Sequence, residues 1–167
     1  MKTITFLLMG VLAMVLTACD CNHLPCLKPD LVVENFEITG SPFVQSGRIH
    51  LPVKVVVKNQ GSLPADVFKV SVAYTGADGI EYVVAFSVPG ESSLWYPFTQ
   101  GPLAAGASAT FEGVLISSFW ENGQSIRLRA TADSCSGDEF MPEYCRVDEC
   151  DETNNTSDYI GTTIAIN

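Results

Sequence analysis

Between Asp133 and Asp158 the chain carries nine carboxylates and a single basic residue, Arg146. Such a density costs self-repulsion unless solvent or a cation relieves it, and oxygen-rich clusters of this kind suit calcium. Asp133, Asp138, Glu149, Asp151, Glu152 and Asp158 are the candidate ligands. No Asp-x-[Asp/Asn]-x-[Asp/Asn]-Gly loop is present, and acidic loops are commonly just solvated. The expected cofactor is therefore none, with calcium kept as the candidate ion.

The same stretch holds Cys135, Cys145 and Cys150, and Cys19, Cys21 and Cys26 lie near the start of the chain. A bridge from Cys135 to Cys145 or Cys150 closes a short loop that has no apolar pattern of its own, and it stabilises that loop by restricting the unfolded chain. The third loop thiol then pairs with Cys21 or Cys26, strapping the two ends together; Cys21 to Cys26 is the alternative second pair. The spacing of four residues inside Cys21–Cys26 and inside Cys145–Cys150 also falls in the zinc range, and the two pairs make a four-thiolate set. An oxidising compartment favours disulfides over that site.

Aromatic side chains supply the binding chemistry. Trp95, Tyr96 and Phe98 lie in a long connection, and Phe119 and Trp120 in a later one. Displayed at loop tips, such rings stack on sugars or anchor a protein, because they offer rigid amphipathic area at low entropic cost. The competing account is that they close the open end of a core. Catalysis has little to build on. The two histidines are His23, near the N-terminus, and His50, on the polar side of an alternating run, and no phosphate loop, His-Glu-x-x-His or Gly-x-Ser-x-Gly segment occurs. The chain reads as a non-enzyme.

The N-terminus reads as an address. Met1 and Lys2 precede an apolar run from Ile4 to Leu16, the length of a signal-peptide core and short for a bilayer span. Leu16-Thr17-Ala18-Cys19 then resembles the bacterial lipobox, which implies a signal peptide over residues 1–18, lipidation at Cys19 and a tether over residues 19–28. Asp20 resembles an inner-membrane retention signal, and the choice of membrane stays open. The expected location is the cell envelope, anchored by lipid and facing the periplasm or the cell exterior. A net charge of −10 points away from nucleic acid as a partner.

These residues need a scaffold, and the remaining sequence supplies one of period two. Ile49, Leu51, Val53, Val55 and Val57 alternate with His50, Lys54 and Lys58. Phe68, Val70, Val72 and Tyr74 alternate with Lys69 and Ser71; Tyr82, Val84, Phe86 and Val88 follow, then Ile126, Leu128, Ala130 and Ala132. Weaker segments are 31–39, with a phase change that predicts a bulge near Glu34 or Asn35, then 107–116 and 159–166. About seven strands with no helical period predict an all-β, immunoglobulin-like antiparallel sandwich.

Pro29-Asp30-Leu31-Val32-Val33, Val55-Val56-Val57-Lys58-Asn59-Gln60-Gly61 with Pro64-Ala65, Leu103-Ala104-Ala105-Gly106-Ala107-Ser108, Ala132-Asp133-Ser134 and Asp148-Glu149-Cys150-Asp151-Glu152-Thr153-Asn154-Asn155 follow in order. The series resembles CARDB, the cell-adhesion-related domain found in bacteria, over residues 29–167. The resemblance implies the sandwich fold and extracellular binding or spacing without catalysis. Taken alone, Asn59 and Gly61 suit a turn needing unusual backbone angles, and Asn154 and Asn155 suit bonds to their own backbone. The expected role is a membrane-anchored adhesion module whose partners are the membrane, through its lipid, and an envelope protein or surface glycan. The alternative is a structural or assembly accessory of the envelope.

Overall fold

Alternation along one strand sets the architecture. In β3 (Arg48–Asn59) every second residue from Ile49 to Asn59 is buried, so the strand must lie flat on a core with its other face outward. The computed structural model describes residues 26–90, 95–134 and 146–166. Around β3 stand β1 (Leu31–Ile38), β2 (Phe43–Gln45), β4 (Val70–Thr75), β5 (Glu81–Ser87), β6 (Ser108–Ser117), β7 (Ser125–Ala132) and β8 (Ile160–Thr163). Every pairing between these strands is antiparallel.

The order is β1-β3-β6-β5-β4-β7-β8, with β2 beside β3 on the edge that β1 leaves free. β5 is shared. Its first half, Glu81–Val84, pairs with β4, and its last three residues, Ala85–Ser87, pair with β6. A strand that changes sheets makes the corner of an immunoglobulin-like sandwich, with β1, β2, β3 and β6 in one layer and β4, β7 and β8 in the other. Val53, Val55, Val57 and Leu115 from the first layer bury against a core shared with Val70, Val72, Leu128 and Ala130 from the second. Phe68 and Phe111 meet edge to face between them, centroids 6.3 Å apart.

The bulge expected near Glu34 is present. Val33 pairs with Val57 and Asn35 with Val56, so Glu34 is the extra residue, and both Leu31 and Phe36 reach the core despite the phase change. The sequence misses β2 because all three of its residues are exposed and leave no alternation. Ser46 and Gly47, both at positive φ, form the tight turn into β3.

One alternation fails. Lys69 and Ser71, expected to face water, are buried, Lys69 at 2 % exposure. Residues 95–103 run along the chain before β4 and cover it: Val70 N–H donates to Pro97 O, Thr99 N–H to Phe68 O, and Ala65 and Leu103 exchange both bonds. The Lys69 ammonium lies 5.3 Å from the centre of the Tyr96 ring.

Candidate binding site

Where β5 leaves β4 for β6, the second edge of its first half has no partner strand among the described residues, and its residues Tyr82 to Ala85 line a cleft of about 230 Å³. Its lining includes Val83, Val84 and Ala85 of β5, Trp95, and Ser118 and Phe119 just past the end of β6. Trp95 is 56 % exposed and Phe119 80 % exposed. The Phe119 amide donates to Ser117 Oγ, which fixes the turn that presents its ring.

Trp120, one of the candidate binding rings, follows the competing account and is core, at 4 % exposure. Its ring stands edge-on to Tyr74 with centroids 5.6 Å apart, and Tyr74 packs on Tyr82 at the same distance. Three rings thus run from the interior to the cleft, where Tyr82 is exposed. The Tyr82 hydroxyl donates to Asp78 Oδ2 at 2.9 Å, and this bond, ahead of burial, raises its pKa; burial raises that of Tyr74. Both phenols stay protonated. Sequence alternation assigns Tyr82 to the core with Val84 and Phe86, but it is the second residue of β5, and burial along that strand begins only at Val84.

Tyr96 and Phe98 are half-buried rather than displayed. Tyr96 covers Lys69, and Phe98 faces the Arg146 guanidinium at 5.6 Å and lines a separate hollow with Val88 and Phe111. The candidate rings therefore divide. Trp95 and Phe119 share the cleft, and the other three are packing.

Arg48, the first residue of β3, also lines the cleft. Beyond it a second hollow, also about 230 Å³, is lined by Gln45, Ser46, Arg48, His50 and Ile116. Arg48 and Ile116 belong to both. His50 is stacked on Phe43, centroids 5.1 Å apart. Nothing in the sequence singles out Arg48, since only the hairpin through β2 carries it to the cleft.

The acidic stretch does different work. Glu149, at 4 % exposure, accepts the Leu31 amide on Oε2 and the Asn155 side-chain amide on Oε1. Burial pushes its carboxyl up to about 8, against those two hydrogen bonds and with help from Asp133 and Glu152. Asp133 accepts the Val147 amide, Glu152 the Glu149 amide, and Asp151 both donors of Thr153. Asp158 is exposed, and Asp138 lies outside the described residues. Among the described residues no three His, Cys, Asp or Glu side chains form a group that would hold a metal ion. The placed buried carboxylates bind backbone and amide donors.

Cys26 and Cys150 form a disulfide. It excludes a Cys21–Cys26 pair, a Cys135–Cys150 pair and the four-thiolate zinc set, because two of the sulfurs are already joined. Cys19, Cys21, Cys135 and Cys145 lie outside the described residues. Beside the bridge, Cys150 N–H donates to Pro29 O and Lys28 pairs with Asp148 at 2.7 Å, so residues 26–30 are held on the body.

Asn59 is the other buried polar centre. Its Oδ1 accepts the amides of Asp30 and Gly61, and its Nδ2 donates to Leu63 O and Leu103 O. Asn154 and Asn155, expected to bond their own backbone, reach instead to the side chains of Asp30 and Glu149. The contacts of Asn59 with Asp30 and Leu103 and of Asn154 with Asp30 tie motifs distant in sequence, while the others brace their own loops.

The CARDB family model matches residues 28–158. The chain belongs to the CARDB family. Its motif residues Asp30, Asn59, Leu103, Glu149, Asn154 and Asn155 are thus the joints of the CARDB scaffold, and the cleft lies away from them. Among solved structures, this CARDB chain is similar to a CARDB domain from Pyrococcus furiosus determined in complex with di-metal ions, with 19% identity, 86% of this chain and 93% of that one covered, and a TM-score of 0.49. It is also similar to the ApaA protein from Bordetella pertussis, with 14% identity, 85% and 98% covered, and a TM-score of 0.36. The comparison with curated proteins gives no match.

Proposed function

We propose that this chain is a lipid-anchored, non-catalytic adhesion module of the cell envelope that binds its partner in the cleft between Trp95 and Phe119. The observation that carries the reading is the exposure of these two rings in the lining of one hollow, which Tyr74 and Tyr82 of the Trp120–Tyr74–Tyr82 stack also line. Aromatic rings have few rotatable bonds, so exposed ones offer a large contact area at a small ordering cost. The lining supplies stacking surface, hydroxyls and a guanidinium rather than a paired acid and base, which fits binding rather than turnover. CARDB membership supports the adhesion role, and the lipobox at Cys19 supports the anchor. Binding on this reading needs no metal, since the placed buried carboxylates hold the scaffold.

The test is photo-cross-linking in whole cells from a probe residue placed at Ser118, followed by identification of what is attached. The expected result is one dominant envelope partner, protein or glycan, lost in Trp95→Ala and Phe119→Ala chains that fold normally. Capture unchanged by both substitutions would move the binding surface elsewhere and favour an accessory role in envelope assembly. Intact mass of membrane-extracted protein checks the anchor: Cys19 must begin the chain and carry acyl groups.

A further inference from the structure

Seven of the eight lysines and arginines among the described residues meet a carboxylate or an aromatic face. Lys28, Lys54, Lys58 and Arg129 pair with Asp148, Glu37, Glu34 and Glu81. Lys69, Arg127 and Arg146 lie over Tyr96, Tyr159 and Phe98. Arg48 alone has neither, although the chain carries 19 acidic residues against 9 basic ones. It is exposed, and it stands where the aromatic cleft meets the hollow containing His50. Neither hollow has an aspartate or glutamate in its described lining. In a protein of net charge −10, a guanidinium with no carboxylate partner among the described residues, between two hollows whose described lining holds no carboxylate, is the place where an anionic group is attracted rather than repelled.

Building on the proposed binding cleft, we propose that its ligand is an acidic sugar: a pyranose ring stacked between Trp95 and Phe119, with its carboxylate on the Arg48 fork. A sugar ring has the two faces this site requires, apolar C–H groups for aromatic walls and hydroxyls for Ser118. The cleft volume of about 230 Å³ lies below the roughly 300 Å³ at which pockets for drug-sized ligands begin, so it takes one ring rather than a long chain. Arginine donates two parallel N–H bonds to a carboxylate, which orients the ring as well as attracting it. The second hollow, with His50, adjoins the cleft at Arg48 and Ile116.

The test uses the full chain in detergent with methyl glycosides of glucuronic, galacturonic and N-acetylneuraminic acid, each against a neutral counterpart, read by NMR titration and by Trp95 fluorescence. At least one acid binds about ten-fold more tightly than its neutral partner, as a charge-assisted pair implies, and the margin shrinks with salt. Arg48→Gln removes the margin and keeps the weak neutral binding, Arg48→Lys restores part of it, and Trp95→Ala abolishes both. Acid and neutral sugars binding alike, with Arg48→Gln silent, overturns the acidic-sugar assignment and leaves the aromatic cleft standing. Sugars failing to bind while a short peptide with a free C-terminal carboxylate perturbs Trp95 overturns the sugar and keeps the anion site. Absence of any response at Trp95 to sugar or peptide overturns the assignment together with the cleft reading.

Discussion

The backbone amide of Leu31 donates to the carboxyl group of Glu149, 118 residues further along the chain. The first residue of the first strand is thus fastened by a buried acid from the last loop. Burial holds that acid at about 8, against an ordinary value of 4.5. Below pH 4.5 the group is neutral in both folded and unfolded chains, and its contribution to stability is complete. Between about 4.5 and 8 the unfolded chain releases a proton that the folded one keeps, so stability falls as pH rises through this window. Glu149→Gln removes the titration, and a half-turn of the Asn155 amide presents its Oδ1 to the new N–H. The denaturant midpoint of the wild type therefore drops from pH 5 to pH 8 relative to the variant. Parallel midpoints across that range would overturn the assignment. Glu37 and Asp151, whose pKa values are lowered by Lys54 and by Thr153, titrate below the window and do not mask it.

The bridge between Cys26 and Cys150 holds the same junction covalently across 124 residues. In the chain-entropy model a loop of this length is worth about 5 kcal/mol, and loss of a native disulfide usually costs about 2–5 kcal/mol. The neighbouring Lys28–Asp148 pair is exposed and contributes about 0–1 kcal/mol, too little to replace it. Cys26→Ser is expected to lower unfolding free energy by about 2–5 kcal/mol and to speed hydrogen exchange at the Cys150 amide, which donates to Pro29 O. A midpoint unchanged under reducing conditions would show that the hydrogen bonds of Leu31 and Cys150 suffice alone.

Gly61 is needed for closeness rather than for an unusual backbone angle. A Cβ there would lie 2.5 Å from the backbone of Lys28, Pro29 and Asp30 alike, and none of those atoms swings aside as a side-chain end does. Gly61→Ala is expected to cost about 1–3 kcal/mol or more by overpacking. Gly101→Ala, with nothing within 4 Å of the added carbon, is the control and stays within about 0.5 kcal/mol. Equal thermal midpoints for the two variants would contradict the close approach.

How far the sequence speaks depends on how a signal is encoded. Ile49 to Val57 declare their strand because burial on one face forces alternation, and the bulge at Glu34 shows as a break in that alternation. Lys69 is misassigned because its cover comes from residues 95–103, a segment that has no period of its own and is placed by backbone bonds to 65–70. Trp95 and Trp120 look alike in a sequence, since both are large aromatics in connections between strands. Only Tyr74, which receives one of them edge-on, separates core from cleft. Arg48 carries no local signal at all: its meaning is the absence of a partner, a property of the whole surface that no window of residues contains.

The two tryptophans give the sharpest separation of structural from binding roles. Trp120 is enclosed and props Tyr74, so Trp120→Ala leaves a cavity and is expected to cost about 3–5 kcal/mol. Trp95 is more than half exposed, and Trp95→Ala, like Phe119→Ala at 80 % exposure, is expected within about 0.5 kcal/mol of wild type. Urea titrations of the three variants read the difference directly. Partner capture then gives the complementary result: Trp95→Ala and Phe119→Ala lose it at full stability. A milder core change, Trp120→Phe, removes the indole N–H but keeps a ring against Tyr74, and it retains capture at reduced stability. If Trp120→Phe abolished capture at full stability while Trp95→Ala left it intact, the binding surface would run through the ring now assigned to the core. The cleft between Trp95 and Phe119 would then be only a surface depression.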